Sequence, residues 1–136
     1  MTDIVFSSST DDVDWGMLKA ALAADHFDNG RRPEEYQRSH ENSHTVIFGR
    51  SNGEFVANGR ILSDGVCNAY LVDIWTASRH RRRGVGRELV RRLVSTAPGQ
   101  HVALFTQDME AFYMTLGFQP QRGGMSQVIG SWLRRV

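Results

Sequence analysis

Seven of the fifteen arginines in this 136-residue chain fall between Arg79 and Arg92. They gather around Arg81-Arg82-Arg83-Gly84-Val85-Gly86-Arg87, a pattern suited to holding an anion. Glycine lets the backbone approach a ligand closely. The first amides of a helix point at bound negative charge. Arginine adds charge-assisted hydrogen bonds to phosphate. Arg81–Arg87 therefore predicts a pocket for a phosphate-bearing ligand, provided that a strand leads into it and a helix leads out.

Both elements are legible. An apolar run, Ala69 to Trp75, precedes the arginines, and Val85, Leu89, Val90, Leu93 and Val94 after them share one helical face. The helix is expected over about Gly84 to Thr96, ending at Pro98-Gly99. Upstream, Ile4-Val5-Phe6 reads as a short strand. Asp11 and Asp12 are candidate caps for a helix that carries Trp15, Leu18, Ala21 and Leu22 on one side. A short helix follows Pro33. Thr45–Arg50 and Glu54–Leu62 read as strands around the hairpin signal Ser51-Asn52-Gly53, and Val66–Thr76 as a third strand after Ser63-Asp64-Gly65. Downstream, His101–Thr106 reads as a strand and Glu110–Leu116 as a helix stopped by Gly117. Phe118 onward reads as a strand that turns at Gly123-Gly124 and pairs through Gln127 to Ile129. An antiparallel meander followed by a strand–helix–strand crossover predicts one α/β domain over residues 1–136. Its sheet is mixed and mostly antiparallel, with helices on both faces.

Composition narrows the function. Hydrophobic residues make up 40% and charged residues 23%, as in an ordinary globular protein, and the net charge is only +1. A general nucleic-acid binder is basic over a whole face, so no nucleic-acid partner is expected. A single cysteine, Cys67, rules out an internal disulfide and points to a reducing, cytoplasmic setting. No apolar run approaches the roughly 20 residues that span a membrane, and Met1-Thr2-Asp3-Ile4 does not open a secretion signal. The five histidines, His26, His40, His44, His80 and His101, lack metal-ligand spacing, so no metal is expected. A Walker loop is excluded because no Gly-Lys-Ser/Thr follows, and the third glycine of a dinucleotide turn is missing after Gly86. Trp15 and Trp132 read as core or edge packing residues; Trp75 reads first as core filling, with a wall of the ligand pocket as the alternative.

Arg81-x-x-Gly84-x-Gly86 resembles the acetyl-CoA motif of the GNAT N-acetyltransferase superfamily. Asp73-Ile74-Trp75-Thr76 looks like that family's fourth strand, and Ala111-Phe112-Tyr113-Met114-Thr115-Leu116-Gly117-Phe118 resembles its second hallmark. The resemblance covers nearly the whole chain and is weakest before Thr45. It implies acetyl transfer from acetyl-CoA to a primary amine, most simply a small molecule, by direct attack in a ternary complex. The backbone of Arg82, Arg83, Gly84, Val85, Gly86 and Arg87 would hold the pyrophosphate. Ile74, Trp75 and Thr76 would splay from the next strand and pair with the pantetheine arm, with an amide near Thr76 as oxyanion donor. Tyr113 would protonate the leaving thiolate, against the plain reading of an aromatic packed beside Phe112. Asp73 is the first candidate base, with His80, Glu110 and ordered water as alternatives. The loop holding Asn29 and Arg31 covers the acceptor site in relatives. An Arg31 that lined the site would suit an acceptor bearing a carboxylate. The rival reading is a non-catalytic acyl-CoA-binding regulator on the same fold. The C-terminal strand and Trp132-Leu133 offer an edge for a homodimer.

Overall fold

The computed structural model describes residues 3–134, so the reading at Met1-Thr2 lies outside them. The chain falls into two compact units, Met1–Phe105 and Thr106–Val136. The first holds a five-stranded sheet in the order β1-β2-β3-β4-β5. Its strands are β1 (Val5–Ser7), β2 (Thr45–Ser51), β3 (Glu54–Ser63), β4 (Asn68–Thr76) and β5 (His101–Ala103). Neighbours are antiparallel except β4 and β5, which are parallel. Helices α1 (Trp15–Ala24) and α2 (Pro33–Glu41) precede the meander, and α3 (Val85–Val94) makes the crossover. The mixed, mostly antiparallel sheet is thus as expected.

Local chemistry explains the boundaries. The β2–β3 hairpin closes through Asn52 at φ 51° and Gly53 at φ 81°, the double left-handed turn that matches strand twist. Helix α1 is capped by Asp14, whose side chain accepts from the Met17 amide at 3.0 Å; Asp11 and Asp12 lie too early. Strand β4 begins at Asn68 rather than Val66 because the Asp64 carboxylate takes the amides of Val66, Cys67 and Asn68. Those three bonds hold the Asp64 pKa down at about 2.

Period-two alternation sorts β3 between two helical layers. Val56 joins Trp15, Leu18, Leu22, Tyr36, Phe48 and Trp75 in a core with α1 and α2. Gly59 faces the other way. A Cβ there would lie 2.7 Å from Ile74 Cδ1 and 3.0 Å from Leu93 Cδ1, so the glycine lets α3 settle on the sheet. The apolar stripe read from the sequence is the one buried, through Val85, Leu89, Val90 and Leu93.

The second unit differs from expectation. Helix α4 (Glu110–Met114) forms, and Gly117 at φ 96° ends that turn, with the Gly117 amide on the Met114 carbonyl and the Phe118 amide on the Tyr113 carbonyl. Among the described residues, however, no strand follows β5. Phe118–Ile129 joins no sheet among the described residues, and an isolated hairpin is marginal in water. Met125 and Ile129 are consequently 92% and 81% exposed. Strand β5 also stops at Ala103, short of the expected Thr106.

Gly59→Ala is expected to destabilise the protein by about 1–3 kcal/mol, because the new methyl overpacks the contact of Ile74 with Leu93. Urea unfolding of the two proteins measures it. An unchanged midpoint would mean that α3 does not seat where the structure has it.

Candidate active site

Strand β4 carries the site, and it is irregular where chemistry was expected. Asn58 pairs with Trp75 and Arg60 with Val72, so Gly59 alone faces both Asp73 and Ile74. This is a β-bulge, and Asp73 sits in it at φ 57°. A left-handed aspartate costs about 1–3 kcal/mol of backbone strain and persists only where its surroundings enforce it. Here two guanidinium groups do so. Arg31 Nη2 donates to Asp73 Oδ1 at 2.8 Å, and Arg60 Nε donates to Asp73 Oδ2 at 2.7 Å. The Asp73 side chain is 10% exposed and that of Arg31 9%.

This geometry corrects two expectations. Burial alone would raise the Asp73 pKa, but the bonds and charges of Arg31 and Arg60 outweigh it and hold the carboxyl below its ordinary range. Both oxygens are occupied and the group has little affinity for a proton, so Asp73 is poorly placed as a general base. Arg31 is turned inward rather than toward an acceptor. Its Nε donates to Asn29 Oδ1 at 2.9 Å and its guanidinium lies 4.5 Å from the Tyr36 ring centre. Asn29 thus orients Arg31, and both belong to a support for the bulge.

A polar seam missed in the sequence backs this support. Tyr36 donates to Asn58 Oδ1 at 2.6 Å, and His40 Nε2 meets the same oxygen at 3.0 Å. Asn58 Nδ2 donates to the Ile47 carbonyl at 2.9 Å. Lys19 is the sole lysine; it is buried, donates to the exposed Asp28 at 2.9 Å and lies 4.9 Å from the Tyr36 ring centre. Burial drives the His40 pKa down to about 4, against the oxygens facing both ring nitrogens. Helical spacing of Tyr36 and His40 was the available signal.

Beyond Tyr70, which pairs with Ala103, β5 no longer pairs with β4. The outer edge of β4 from Leu71 to Thr76 is therefore open to a ligand backbone. The Ala77 amide donates to the Val56 carbonyl at 2.8 Å, so by alternation the peptide groups of Thr76 point to that open edge. Ile74 packs toward Leu89 and Leu93, whereas the buried Trp75 indole belongs to the α1–α2 core, the packing role expected of it.

The strand runs through a short 3-10 turn, Ser78–His80, into the arginine segment. Arg82 at φ 63° and Gly84 at φ 81° alternate left-handed with their neighbours, and Gly84 is the N-cap of α3. Such a turn points successive amides into one concavity, suited to an anion. Gly84 offers no capping side chain to the first turn, and a Cβ there would meet nothing within 4 Å, so a ligand has room to approach. Arg81, Arg82, Arg83 and Arg87 are exposed around it. The backbone from Arg82 to Arg87 thus fits a pyrophosphate. The Arg81 side chain folds back, its Nε on the Thr76 carbonyl at 3.1 Å. His80 is buried with Nδ1 unpartnered, and burial with the charges of Arg79 and Arg83 lowers its pKa. Among the described residues no cluster of three or more His, Cys, Asp or Glu side chains converges on a metal-sized site.

Tyr113 lies in the second unit, on α4. Its ring packs edge-on to Phe112 at 5.0 Å and Phe118 at 5.8 Å between centres. Burial raises its pKa, so the phenol keeps its proton at neutral pH, as a general acid must.

Two outcomes follow. Asp73→Ala leaves two inward guanidinium groups unpaired and should cost about 3–5 kcal/mol in urea unfolding; a loss of activity with full stability would restore Asp73 as the base. Unfolded His40 protonates near 6.5 and folded His40 near 4, so the unfolded chain binds the extra proton between those values. Stability should be complete above pH 6.5 and fall as pH drops toward 4, by up to about 1.4 kcal/mol per pH unit. An NMR midpoint for His40 near 6.5 would contradict this.

The fold and motifs have counterparts. A GNAT-family protein of Xanthomonas campestris pv. campestris superposes with a TM-score of 0.80 at 24% identity, covering 95% of this chain and 95% of that one. A proposed acetyltransferase from Deinococcus radiodurans R1 gives 0.79 at 24% identity, with 92% and 88% covered. Glucosamine-6-phosphate N-acetyltransferase from Arabidopsis thaliana gives 0.69 at 16% identity, with 93% and 98% covered. These likenesses concern the fold. No curated protein matches the sequence. The model of the acetyltransferase (GNAT) family matches residues 15–118, which include the open edge of β4, the arginine turn and Tyr113, and the chain therefore belongs to the GNAT acetyltransferase family.

Proposed function

We propose that this protein is an acetyl-CoA-dependent N-acetyltransferase acting on a small primary amine. The observation that carries the reading is the open β4 edge, Leu71 to Thr76, leading directly into the glycine-bearing turn at the start of α3. One strand edge and one helix N-terminus match the two ends of a pantetheine pyrophosphate. In this reading the backbone of Arg82–Arg87 takes the pyrophosphate. The Ile74–Thr76 backbone takes the arm, and an amide near Thr76 faces the thioester oxygen.

The acceptor nitrogen attacks the thioester carbon, the carbon–sulfur bond breaks, and Tyr113 gives its proton to the departing sulfur; the proton that the nitrogen sheds on becoming an amide returns through water to the Tyr113 oxygen. Asp73 contributes by keeping the bulge, not by taking a proton. An amine with a pKa near 10.4 must lose a proton before attack, and water carries it to solvent. The reading places the enzyme in a reducing compartment such as the cytoplasm, where the exposed free Cys67 stays a thiol. It needs no metal, nucleic acid or membrane; among the described residues no helix is long and apolar enough to cross one. The exposed Met125 and Ile129 support self-association into a homodimer through the C-terminal segment.

Calorimetric titration with acetyl-CoA, dephospho-CoA and ATP tests the reading. Selective micromolar binding of acetyl-CoA is expected, and equal binding of all three would leave only a basic turn. Tyr113→Phe should keep that binding and lower turnover by roughly 10²–10⁴-fold; unchanged turnover would remove Tyr113 from the chemistry.

A further inference from the structure

Asp25 ends α1, where the helix carbonyls concentrate negative potential and a carboxylate is disfavoured. Its side chain nevertheless reaches across to the end of β4. Asp25 Oδ2 accepts from Trp75 Nε1 at 2.9 Å and from the Ser78 amide at 3.1 Å, and it lies 3.7 Å from Arg81 Nη2. Arg81 in turn holds the Thr76 carbonyl through Nε. These contacts bracket residues 75–81, the stretch between the open strand edge and the anion turn. Trp75 is buried in the core with α1 and α2, so Asp25 ties the turn to that core.

We propose that Asp25 is a positioning residue for acetyl-CoA: it fixes the Ser78–Arg81 backbone, through Arg81, at the distance from the β4 edge that the coenzyme spans. Arg81, the first residue of the motif, then acts as a strut rather than as a phosphate ligand. The inference rests on the acetyl-CoA reading above. Aspartate is suited to the task because one oxygen accepts from an indole and an amide while its charge attracts a guanidinium 3.7 Å away.

The test measures acetyl-CoA affinity, kcat and both KM values for the parent, Asp25→Ala, Asp25→Asn and Arg81→Ala, and for Asp25→Ala combined with Arg81→Ala. Asp25→Ala should weaken acetyl-CoA binding about tenfold, with kcat at saturation and the amine KM unchanged. Asp25→Asn keeps an oxygen for Trp75 and Ser78 and should recover part of the affinity, and it decides the matter if the alanine variant does not fold. The double variant should lose less than the sum of the single losses, since the two residues act through one contact. A merely structural role would lower the melting temperature and leave the acetyl-CoA Kd in place; that result would overturn the proposal. Failure of the parent to bind acetyl-CoA would overturn both this inference and the functional reading. Normal parent binding with unaltered Asp25 variants would overturn this inference alone.

Discussion

The carboxylate of Asp73, gripped by Arg31 and Arg60, sets the register of everything beyond it on β4. Before the bulge, Leu71 pairs with Ile61 on the α3 side of the sheet. Without the extra residue, strict alternation would put Trp75 on that same side. The bulge moves Trp75 across, into the core with α1 and α2. Removing two charges from water is costly unless their bonds are complete, and here both carboxylate oxygens are used. The pairs at 2.7 and 2.8 Å offset the strain of a left-handed aspartate and link three separate parts of the chain: the loop before α2, β3 and β4.

The open strand edge lies beyond that link. Parallel pairing with β5 covers only Asn68 to Tyr70, and the remainder of β4 keeps one row of peptide groups for another partner. An exposed strand edge is a liability in most proteins. Under the proposed acetyl-CoA reading, a ligand with amide groups of its own would use it. The arginine turn continues the same logic, because the left-handed Arg82 and Gly84 turn amides outward at the start of α3. Charge is thereby placed where the backbone already favours an anion, while the net charge of the protein stays near zero.

The second unit is organised differently. Tyr113 is held by two aromatic neighbours and by the closing turn around Gly117, where its carbonyl accepts from the Leu116 and Phe118 amides. The segment after Phe118 interrupts its few apolar residues with Pro120 and Gly123-Gly124 and is mostly exposed. A stretch without a continuous apolar face has little to gain by adding itself to a sheet.

Much of the fold was legible because it rests on local chemistry. Asn52-Gly53 has one low-energy use, a tight hairpin, and the α3 stripe can bury itself only against a sheet. The glycines of the arginine turn and the Gly117 stop were readable for the same reason. The role of Asp73 was not, since its partners Arg31 and Arg60 lie 42 and 13 residues away in sequence. Nor could spacing show that Arg31 points inward, that Asp25 braces the turn, or that β5 stops at Ala103. A one-residue bulge exchanges the faces of every later side chain on a strand, and no local pattern encodes it. The sequence by itself thus determined most elements of the first unit, the glycine-bearing turn before α3 and the family motifs. Only the tertiary structure decided which side of β4 each residue faces, because that depends on ion pairs formed between distant segments.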